Sequence, residues 1–220
     1  MTEIWLIRHG ETAWNHQKRL QGWQDIPLNE IGKAQAEKLA ARLQDDAQHT
    51  PFGALYSSDL QRAHATAQSS ADSLGLRVRT EPGIRERAFG VLEGLVMDLA
   101  VSYQPEATAV WKSRDPSLDL EGGESLGQFQ ARILATVNDI AERHRDESVL
   151  AFTHGGVLDI IWRHARGLAL NAPRDDSFTL SNVGINRIAV TGKQWKVVDW
   201  GDIAHIAGNT EDDVSVARGR

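Results

Sequence analysis

An arginine, a histidine and a glycine follow a short apolar run near the start of the chain, as Arg8, His9 and Gly10. The run Ile4–Ile7 is rich in β-branched and aromatic residues, which predicts a buried strand. A planar guanidinium can grip an oxyanion, and an imidazole beside it can act as a nucleophile or an acid. The glycine lets the backbone turn and a ligand come close. The triplet indicates an anion site, although taken alone it is equally typical of a solvated strand end.

Two further predicted strands end in residues of the same kind. Ser148–Phe152 is the clearest core strand, and the sequence Thr-His-Gly-Gly follows it at 153–156, where a helix begins. The strand Ala54–Tyr56 precedes a helix whose first exposed turn carries Arg62. Ligands bind at the carboxyl ends of the strands in an open parallel sheet. We therefore expect two histidines and two arginines at one edge, with the N–H groups after His154 placed to bind a phosphate dianion.

A carboxylic acid follows the next predicted strand. Glu86 comes shortly after Leu76–Arg79 and is flanked by Arg85 and Arg87. A carboxylate between arginines commonly forms a surface ion pair. Its position beyond the carboxyl end of a strand favours proton transfer at the same edge instead. Both interpretations remain open from these residues alone.

The elements that would position these side chains alternate between strand and helix. This order predicts an α/β three-layer sandwich, with a mostly parallel sheet, an antiparallel edge strand and helices on both faces. The predicted helices cover about 30–44, 60–74, 125–144 and 157–163, and a closing hairpin covers 185–190 and 194–200. Residues 57–59 (Ser-Ser-Asp) are expected to cap the second helix. One domain is predicted over 1–220, with a capping insertion at about 83–124.

The stretch between Gly10 and Pro27 has no clean periodicity, and a loop of this length in a compact domain is commonly functional. Two tryptophans, Trp14 and Trp23, lie in it. They either line a substrate mouth or anchor the loop.

Composition limits the classes of function. Of 220 residues, 41% are hydrophobic and 25% charged, which is typical of a soluble globular protein. The net charge of -6 argues against a nucleic-acid or anionic-membrane partner, so an anion site must be a local cluster of positive charge. The absence of cysteine excludes disulfides, thiolate catalysis and zinc-ribbon sites. No signal peptide or membrane span is recognised, and we expect a cytoplasmic protein with a small-molecule partner.

Four motifs resemble, in order, those of the histidine phosphatase superfamily, which includes the cofactor-dependent phosphoglycerate mutases. They are Leu6–Thr12, Ser58–Ala63, Glu86 with the Phe-Gly and Glu-Gly pairs at 89–90 and 93–94, and Thr153–Gly156. A lone Arg-His-Gly is a weak signal. Four motifs in the family's order across almost the whole chain are a strong one, and the chain is identified as a member of this superfamily.

The resemblance implies roles for the matching residues. His9 would accept the phosphoryl group as phosphohistidine, and Glu86 would protonate the leaving oxygen and then activate water. Arg8, Arg62 and His154 would clamp the phosphate oxygens and count among the catalytic groups. The implied substrate-binding residues are Arg8, Asn15, Gln21, Gly22, Arg62, Glu86, His154 and Gly155. No metal is implied, because arginines would neutralise the phosphate.

The same pocket could serve a phosphatase or a mutase, depending on whether water or a second hydroxyl accepts the phosphoryl group. The first loop and Glu86-Arg87 are similar to mutases, which would need 2,3-bisphosphoglycerate as a primer. Mutases carry a tyrosine where Phe89 stands, and two adjacent arginines follow the tryptophan that corresponds to Trp111. Here Lys112, Ser113 and Arg114 follow it.

The segment Gly122–Ser125 also resembles the phosphatase branch. The resemblance therefore favours a metal-independent phosphomonoester hydrolase that needs no cofactor. A phosphoglycerate mutase, a cobalamin-pathway ribazole phosphatase and a non-catalytic binder of phosphorylated ligands are the alternatives. The sequence leaves open whether the chain forms a homodimer.

Overall fold

The computed structural model describes residues 1–173 and 178–206. The strands in these ranges are β1 (Thr2–Arg8), β2 (Phe52–Ser57), β3 (Val78–Thr80), β4 (Ser148–Thr153), β5 (Ile185–Thr191) and β6 (Gln194–Asp202). They form one sheet in the order β3-β2-β4-β1-β5-β6. The first four are parallel, whereas β5 is antiparallel to both β1 and β6. The predicted mostly parallel sheet is confirmed. The hairpin adds two strands, so the antiparallel β5 lies inside the sheet and β6 forms the edge.

Helices cover both faces of the sheet. The α-helices in the described ranges are α1 (Ala13–His16), α2 (Glu30–Asp46), α3 (Gln61–Leu74), α4 (Ala100–Tyr103), α5 (Pro105–Ser113), α6 (Leu126–Arg143) and α7 (Gly155–Ala165). Successive side chains of β1 point to opposite faces, as a strand requires. Ile4 and Leu6 join the core under α6 and α7, whereas Trp5 and Ile7 join the core under α2 and α3. This gives the predicted three layers. None of the described helices is long and apolar enough to cross a membrane.

The central strand β4 brings the motif-bearing strand ends together. It lies between β1 and β2, and its residues 149–152 are almost completely buried. Arg8 at the end of β1 pairs with Thr153, and Ser57 at the end of β2 pairs with Phe152. The carboxyl ends of three parallel strands therefore lie side by side.

The start of α3 differs from the prediction that residues 57–59 cap it. The N-cap residue is Leu60, which offers no side-chain hydrogen bond. The exposed N–H of Gln61 donates instead to Asp25 Oδ1 at 2.7 Å, and the Gln61 side chain donates to the other oxygen at 2.9 Å. The capping prediction was wrong because a carboxylate 36 residues away takes the role that a local side chain usually takes. The end of α3 is as predicted, at Gly75 with a left-handed φ of 65°.

Residues 83–124, predicted as an insertion, contain short helices and turns but no strand of the sheet. A separate apolar cluster of Leu20, Leu92, Ala107 and Leu120 packs them against the first loop, to which Leu20 belongs. The assignment of residues 1–220 to one domain stays a prediction, since residues 174–177 and 207–220 lie outside the described ranges.

Candidate active site

The carboxyl edge of the sheet brings the predicted basic residues together. Arg8, His9, Arg62 and His154 are all buried there, between 0% and 3% exposed. The rings of His9 and His154 face each other with centroids 5.2 Å apart. The Arg8 side chain is fixed by donating from Nη1 to the carbonyl oxygen of Leu180. The edge is therefore a pocket of concentrated positive charge on a protein whose net charge is -6.

His9 is held as a neutral imidazole with a defined tautomer. Its Nδ1 lies 2.7 Å from the carbonyl oxygen of Gly10, which can only accept, so Nδ1 carries the proton and Nε2 the lone pair. The backbone is fixed as well, because Asn182 donates to the His9 carbonyl at 2.8 Å. Burial, followed by the charges of Arg62 and Arg8, holds the pKa of His9 well below its usual value. The imidazole is therefore unprotonated at neutral pH.

His154 is placed to donate a hydrogen bond to a ligand. Its Nε2 lies 2.9 Å from Ser58 Oγ, and that oxygen also accepts from the backbone N–H of Leu60 at 3.3 Å. When the Ser58 hydroxyl donates to Nε2, Nδ1 is the protonated nitrogen and can donate to a ligand. His154 Nδ1 is buried and has no hydrogen-bond partner in the described part of the chain. Burial and the Arg62 charge keep the pKa of His154 well below its usual value.

Arg62 offers a second buried donor. Its two terminal nitrogens donate to the carbonyl oxygens of Gly22 and Gln24, at 2.8 Å each. Its Nε is buried and has no partner among the described residues. Burial lowers the pKa of Arg62 to about 10, so the guanidinium remains charged at neutral pH. Arg62 Nε and His154 Nδ1 are thus two buried donors without an acceptor among the described residues, and a buried unpaired donor is costly.

The carboxyl group of Glu86 lies at the same edge and forms no ion pair in the described structure. It accepts from the backbone N–H of Arg87 at 2.8 Å and from that of Gly156 at 2.9 Å. Burial raises the pKa of Glu86 above its usual value, opposed by these two hydrogen bonds. The close approach depends on a glycine, because a Cβ at Gly156 would lie 2.1 Å from Glu86 Oε1. The surface ion-pair interpretation is therefore wrong: Arg85 binds Asp59 instead.

Trp23 anchors the first loop beside Glu86 at the carboxyl edge of the sheet. Its indole N–H donates to the backbone carbonyl of Glu86 at 2.8 Å. Its ring packs under the Arg85 guanidinium at 4.7 Å, and 41% of the residue stays exposed. Trp14 lies against Gly94 at the other end of the loop. These contacts support the anchoring interpretation for Trp23, and a place for either tryptophan at a substrate mouth stays a prediction.

Three predicted binding residues of the first loop have structural contacts. Asn15 and Thr12 form the reciprocal cap of α1, which is one helical turn inside the predicted loop. Gln21 Oε1 accepts from the Thr12 hydroxyl at 3.0 Å. Gly22 positions Arg62 through its carbonyl, and its φ of 52° suits a glycine. Gly155 starts α7, where backbone N–H groups favour an anion.

Sequence reasoning missed Asp25, Ser58 and Asn182. Each acts on a predicted site residue from a distant part of the chain: Ser58 on His154, Asn182 on His9, and Asp25 on the helix that carries Arg62. Only Ser58 was inside a recognised motif. Asp25 and Asn182 lie in segments without periodicity, so no local pattern could have assigned them a role.

Replacing Asp25 by alanine should lower stability and weaken phosphate binding together. The change leaves the first N–H groups of α3 without their acceptor, which costs about 1 kcal/mol, and loosens the start of the helix that positions Arg62. Thermal unfolding with and without inorganic phosphate measures both effects. Asp119→Ala, at an exposed position, is the control and should leave both quantities unchanged. A full phosphate-induced stabilisation in Asp25→Ala would contradict this account of Arg62.

Comparison with known proteins agrees with this geometry. The profile described as Histidine phosphatase superfamily (branch 1) matches residues 4–203. The chain belongs to the histidine phosphatase superfamily. The membership expected from the four motifs is therefore confirmed, and so is the expectation of an enzyme with this fold.

Relatives of this histidine phosphatase carry names from both branches of activity. It is 35% identical to phosphoglycerate mutase-like protein 4 of Arabidopsis thaliana, over 93% of this chain and 86% of that one. It is 34% identical to the metal-independent phosphoserine phosphatase of the same plant, over 94% and 84% of the two chains. Among solved structures, YhfR of Bacillus stearothermophilus superposes with a TM-score of 0.80 at 31% identity, over 94% of this chain and 100% of that chain.

Proposed function

We propose that this histidine phosphatase hydrolyses small phosphomonoesters through a phosphohistidine at His9. The observation that carries the proposal is a neutral His9 with a fixed tautomer beside two buried donors, Arg62 Nε and His154 Nδ1, that have no acceptor in the described part of the chain. A phosphoryl group supplies acceptor oxygens and negative charge to both.

In the first step, the lone pair of His9 Nε2 forms an N–P bond as the ester P–O bond breaks. The leaving oxygen takes the proton of the Glu86 carboxyl group, whose pKa is raised by burial, which favours the protonated form. Arg8, Arg62 and His154 stabilise the charge on the transferring phosphoryl oxygens. The second step returns the enzyme to its starting state: a water oxygen attacks phosphorus, Glu86 accepts the water proton, and the N–P electron pair returns to Nε2.

Several observations support a hydrolase over a mutase. The relative at 34% identity is named a phosphoserine phosphatase. A mutase must also hold its phosphorylated intermediate in place and exclude water, whereas the adjacent arginine pair of mutases is absent after Trp111. The mutase remains the second candidate because the relative at 35% identity is named mutase-like. A protein that only binds phosphorylated ligands would not need the Glu86 carboxyl group, which is held at the start of α7.

The proposal predicts hydrolysis without added metal. The positive charge that stabilises the phosphoryl group comes from the guanidinium groups of Arg8 and Arg62, which belong to the chain itself. We expect the purified protein to hydrolyse a chromogenic aryl phosphate at the same rate with and without a chelator such as EDTA. Vanadate, which mimics the transferring phosphoryl group, should inhibit it. Complete loss of activity in the chelator would contradict the proposal. A side-by-side assay of mutase activity on 3-phosphoglycerate decides between the two candidates.

A further inference from the structure

Glu86 lies in a loop whose backbone is held by side chains. In the described chain, residues 85–89 belong to no helix or strand, and a short 3₁₀ helix at Pro82–Ile84 precedes them. Carbonyl groups in such a segment lack the N–H partners of a helix or sheet and need other donors. The Ile84 carbonyl accepts from the Thr153 hydroxyl at 2.8 Å, which ties the loop to the end of β4. The position of the Glu86 carboxyl group therefore depends on the side chains that reach this loop.

Arg132 of α6 supplies donors to three carbonyl groups of the loop. Its Nη1 donates to the carbonyl oxygens of Gly83 and Arg85, at 3.0 and 3.1 Å, and its Nη2 donates to that of Glu86 at 3.2 Å. The Nε and the second N–H of Nη2 bind the two carboxylate oxygens of Glu124, at 2.9 and 2.7 Å. One N–H on Nε and two on each terminal nitrogen are the full donor capacity of a guanidinium, and all of them are used. A lysine, with three donors and no planar fork, cannot make the same set of contacts.

Glu124 holds the backbone on the other side of Glu86. Its Oε2 also accepts from the backbone N–H of Ala88 at 3.0 Å, and its own N–H donates to the Ala88 carbonyl at 2.9 Å. The Glu124 carbonyl accepts from Arg87 Nε at 2.9 Å. The side chains of Arg132 and Glu124 are 21% and 18% exposed, so their ion pair is partly shielded from water. The Arg132–Glu124 pair thus fixes the loop both before and after Glu86.

The groups expected to bind the phosphoryl oxygens are held by other contacts. Arg62 is fixed by two carbonyl groups of the first loop, and His154 is fixed by Ser58. Loss of the Arg132 contacts should therefore move Glu86 relative to a bound phosphoryl group and leave the phosphate site in place. A displacement of about 1 Å in a reacting group can lower a rate about 10²-fold.

We propose that Arg132 and Glu124 are positioning residues, which hold the Glu86 carboxyl group where it can give its proton to the leaving oxygen. The inference rests on the proposed function, because Glu86 is the acid only if that function is correct. The pair acts through the backbone that carries Glu86. Its loss should therefore slow substrates whose leaving group needs a proton and spare those whose leaving group does not.

The test compares benzyl phosphate with 4-nitrophenyl phosphate, two substrates of similar size. The benzyl alkoxide needs a proton in order to leave, whereas nitrophenolate leaves without one. We compare kcat/KM values, because they cover the steps through departure of the leaving group and exclude the later attack of water. Arg132→Lys should lower the benzyl-to-nitrophenyl ratio of kcat/KM by about 10- to 100-fold. The loss should lie in kcat for benzyl phosphate, and inhibition by vanadate should stay as in the wild type.

A double-mutant cycle separates positioning from general damage to the fold. In a Glu86→Gln background, Arg132→Lys should not lower the ratio further, because both changes act through the same carboxyl group. Glu124→Gln keeps the size of the side chain and removes the charge of the ion pair, so it should lower the ratio in the same direction. It also provides the test if Arg132→Lys does not fold. Arg143→Lys is the matched control, since it makes the same exchange on the same helix at a side chain that is 45% exposed, and its ratio should equal that of the wild type.

The outcomes distinguish this inference from the proposed function. Equal slowing of both substrates, or an unchanged ratio, in folded Arg132→Lys would overturn the positioning role and leave the hydrolase standing. A further drop of the ratio when Arg132→Lys is added to Glu86→Gln would overturn it as well. A wild type that hydrolyses only the nitrophenyl compound would remove the acid role of Glu86, and the inference with it. Hydrolysis of neither compound would overturn both proposals.

Discussion

Replacing His9 by alanine is expected to lower aryl phosphate hydrolysis by about 10⁴-fold or more, because the group that forms the covalent intermediate is lost. The fold should persist, since the backbone of the site is held from outside the side chain. Asn182 donates to the His9 carbonyl, and the N–H of Gly10 donates to Thr66. Rapid quenching with ³²P-labelled substrate should give an acid-labile label in the wild type and none in the variant.

The control for this experiment is His49→Ala, which removes a histidine from an exposed position before the start of β2. It should keep full activity and the full amount of label. Persistence of the acid-labile label in His9→Ala would refute the assignment of the nucleophile. Loss of activity with retained label in His154→Ala would instead agree with a role of His154 in binding the phosphoryl oxygens.

Replacing Glu86 by glutamine is expected to slow the hydrolysis of alkyl phosphates by about 10²- to 10⁴-fold and that of aryl phosphates far less. An alkoxide is a poor leaving group that needs a proton, whereas a nitrophenolate leaves without one. The amide of glutamine keeps the size of the side chain and can no longer donate an acidic proton. Measuring kcat/KM across a series of leaving groups tests this directly, and equal slowing of all substrates would contradict the role of Glu86 as an acid.

The pH profile gives an independent test of the same group. Because burial raises the pKa of Glu86, its protonated form persists to higher pH than that of an ordinary carboxyl group. The hydrolysis of alkyl phosphates should therefore fall as the pH rises through that pKa, and Glu86→Gln should lose this limb of the profile. Glu106→Gln, at an exposed position of the insertion, should keep the wild-type profile. If the fall in activity with rising pH survives in Glu86→Gln, the titration of another group causes it.

The pattern of strands and helices could be predicted from the sequence because it depends on local periodicity. β4 was recognised as an apolar run, and the end of α3 was recognised from Gly75. The start of α3 was not, because its cap is Asp25, from a loop that has no periodic pattern. A capping rule can describe only residues next to the helix, and here the nearest acceptor in space is distant in sequence.

Tertiary contacts also decided between interpretations that the residues of the candidate site left open. Glu86 and its two neighbouring arginines are compatible with a surface ion cluster. In the structure, Arg85 turns to Asp59 and Arg87 to the Glu124 carbonyl. The Glu86 carboxylate is thereby left for two backbone N–H groups in the pocket. Similarly, Gly22 was predicted to bind substrate, but its carbonyl holds Arg62.

The sequence by itself determined the family, the mostly parallel sheet and the edge at which His9, Arg62 and His154 meet. The family follows from the resemblance of four motifs. The sheet and its edge follow from apolar runs, from turn-forming glycines and from the rule that parallel strands end together, which are recognised from residues close in sequence. Only the tertiary structure decided which nitrogen of His9 carries the proton and that Glu86 is held by backbone N–H groups. The physical reason is that hydrogen-bond partners and burial depend on groups brought together from distant segments, and these two factors set protonation and charge balance.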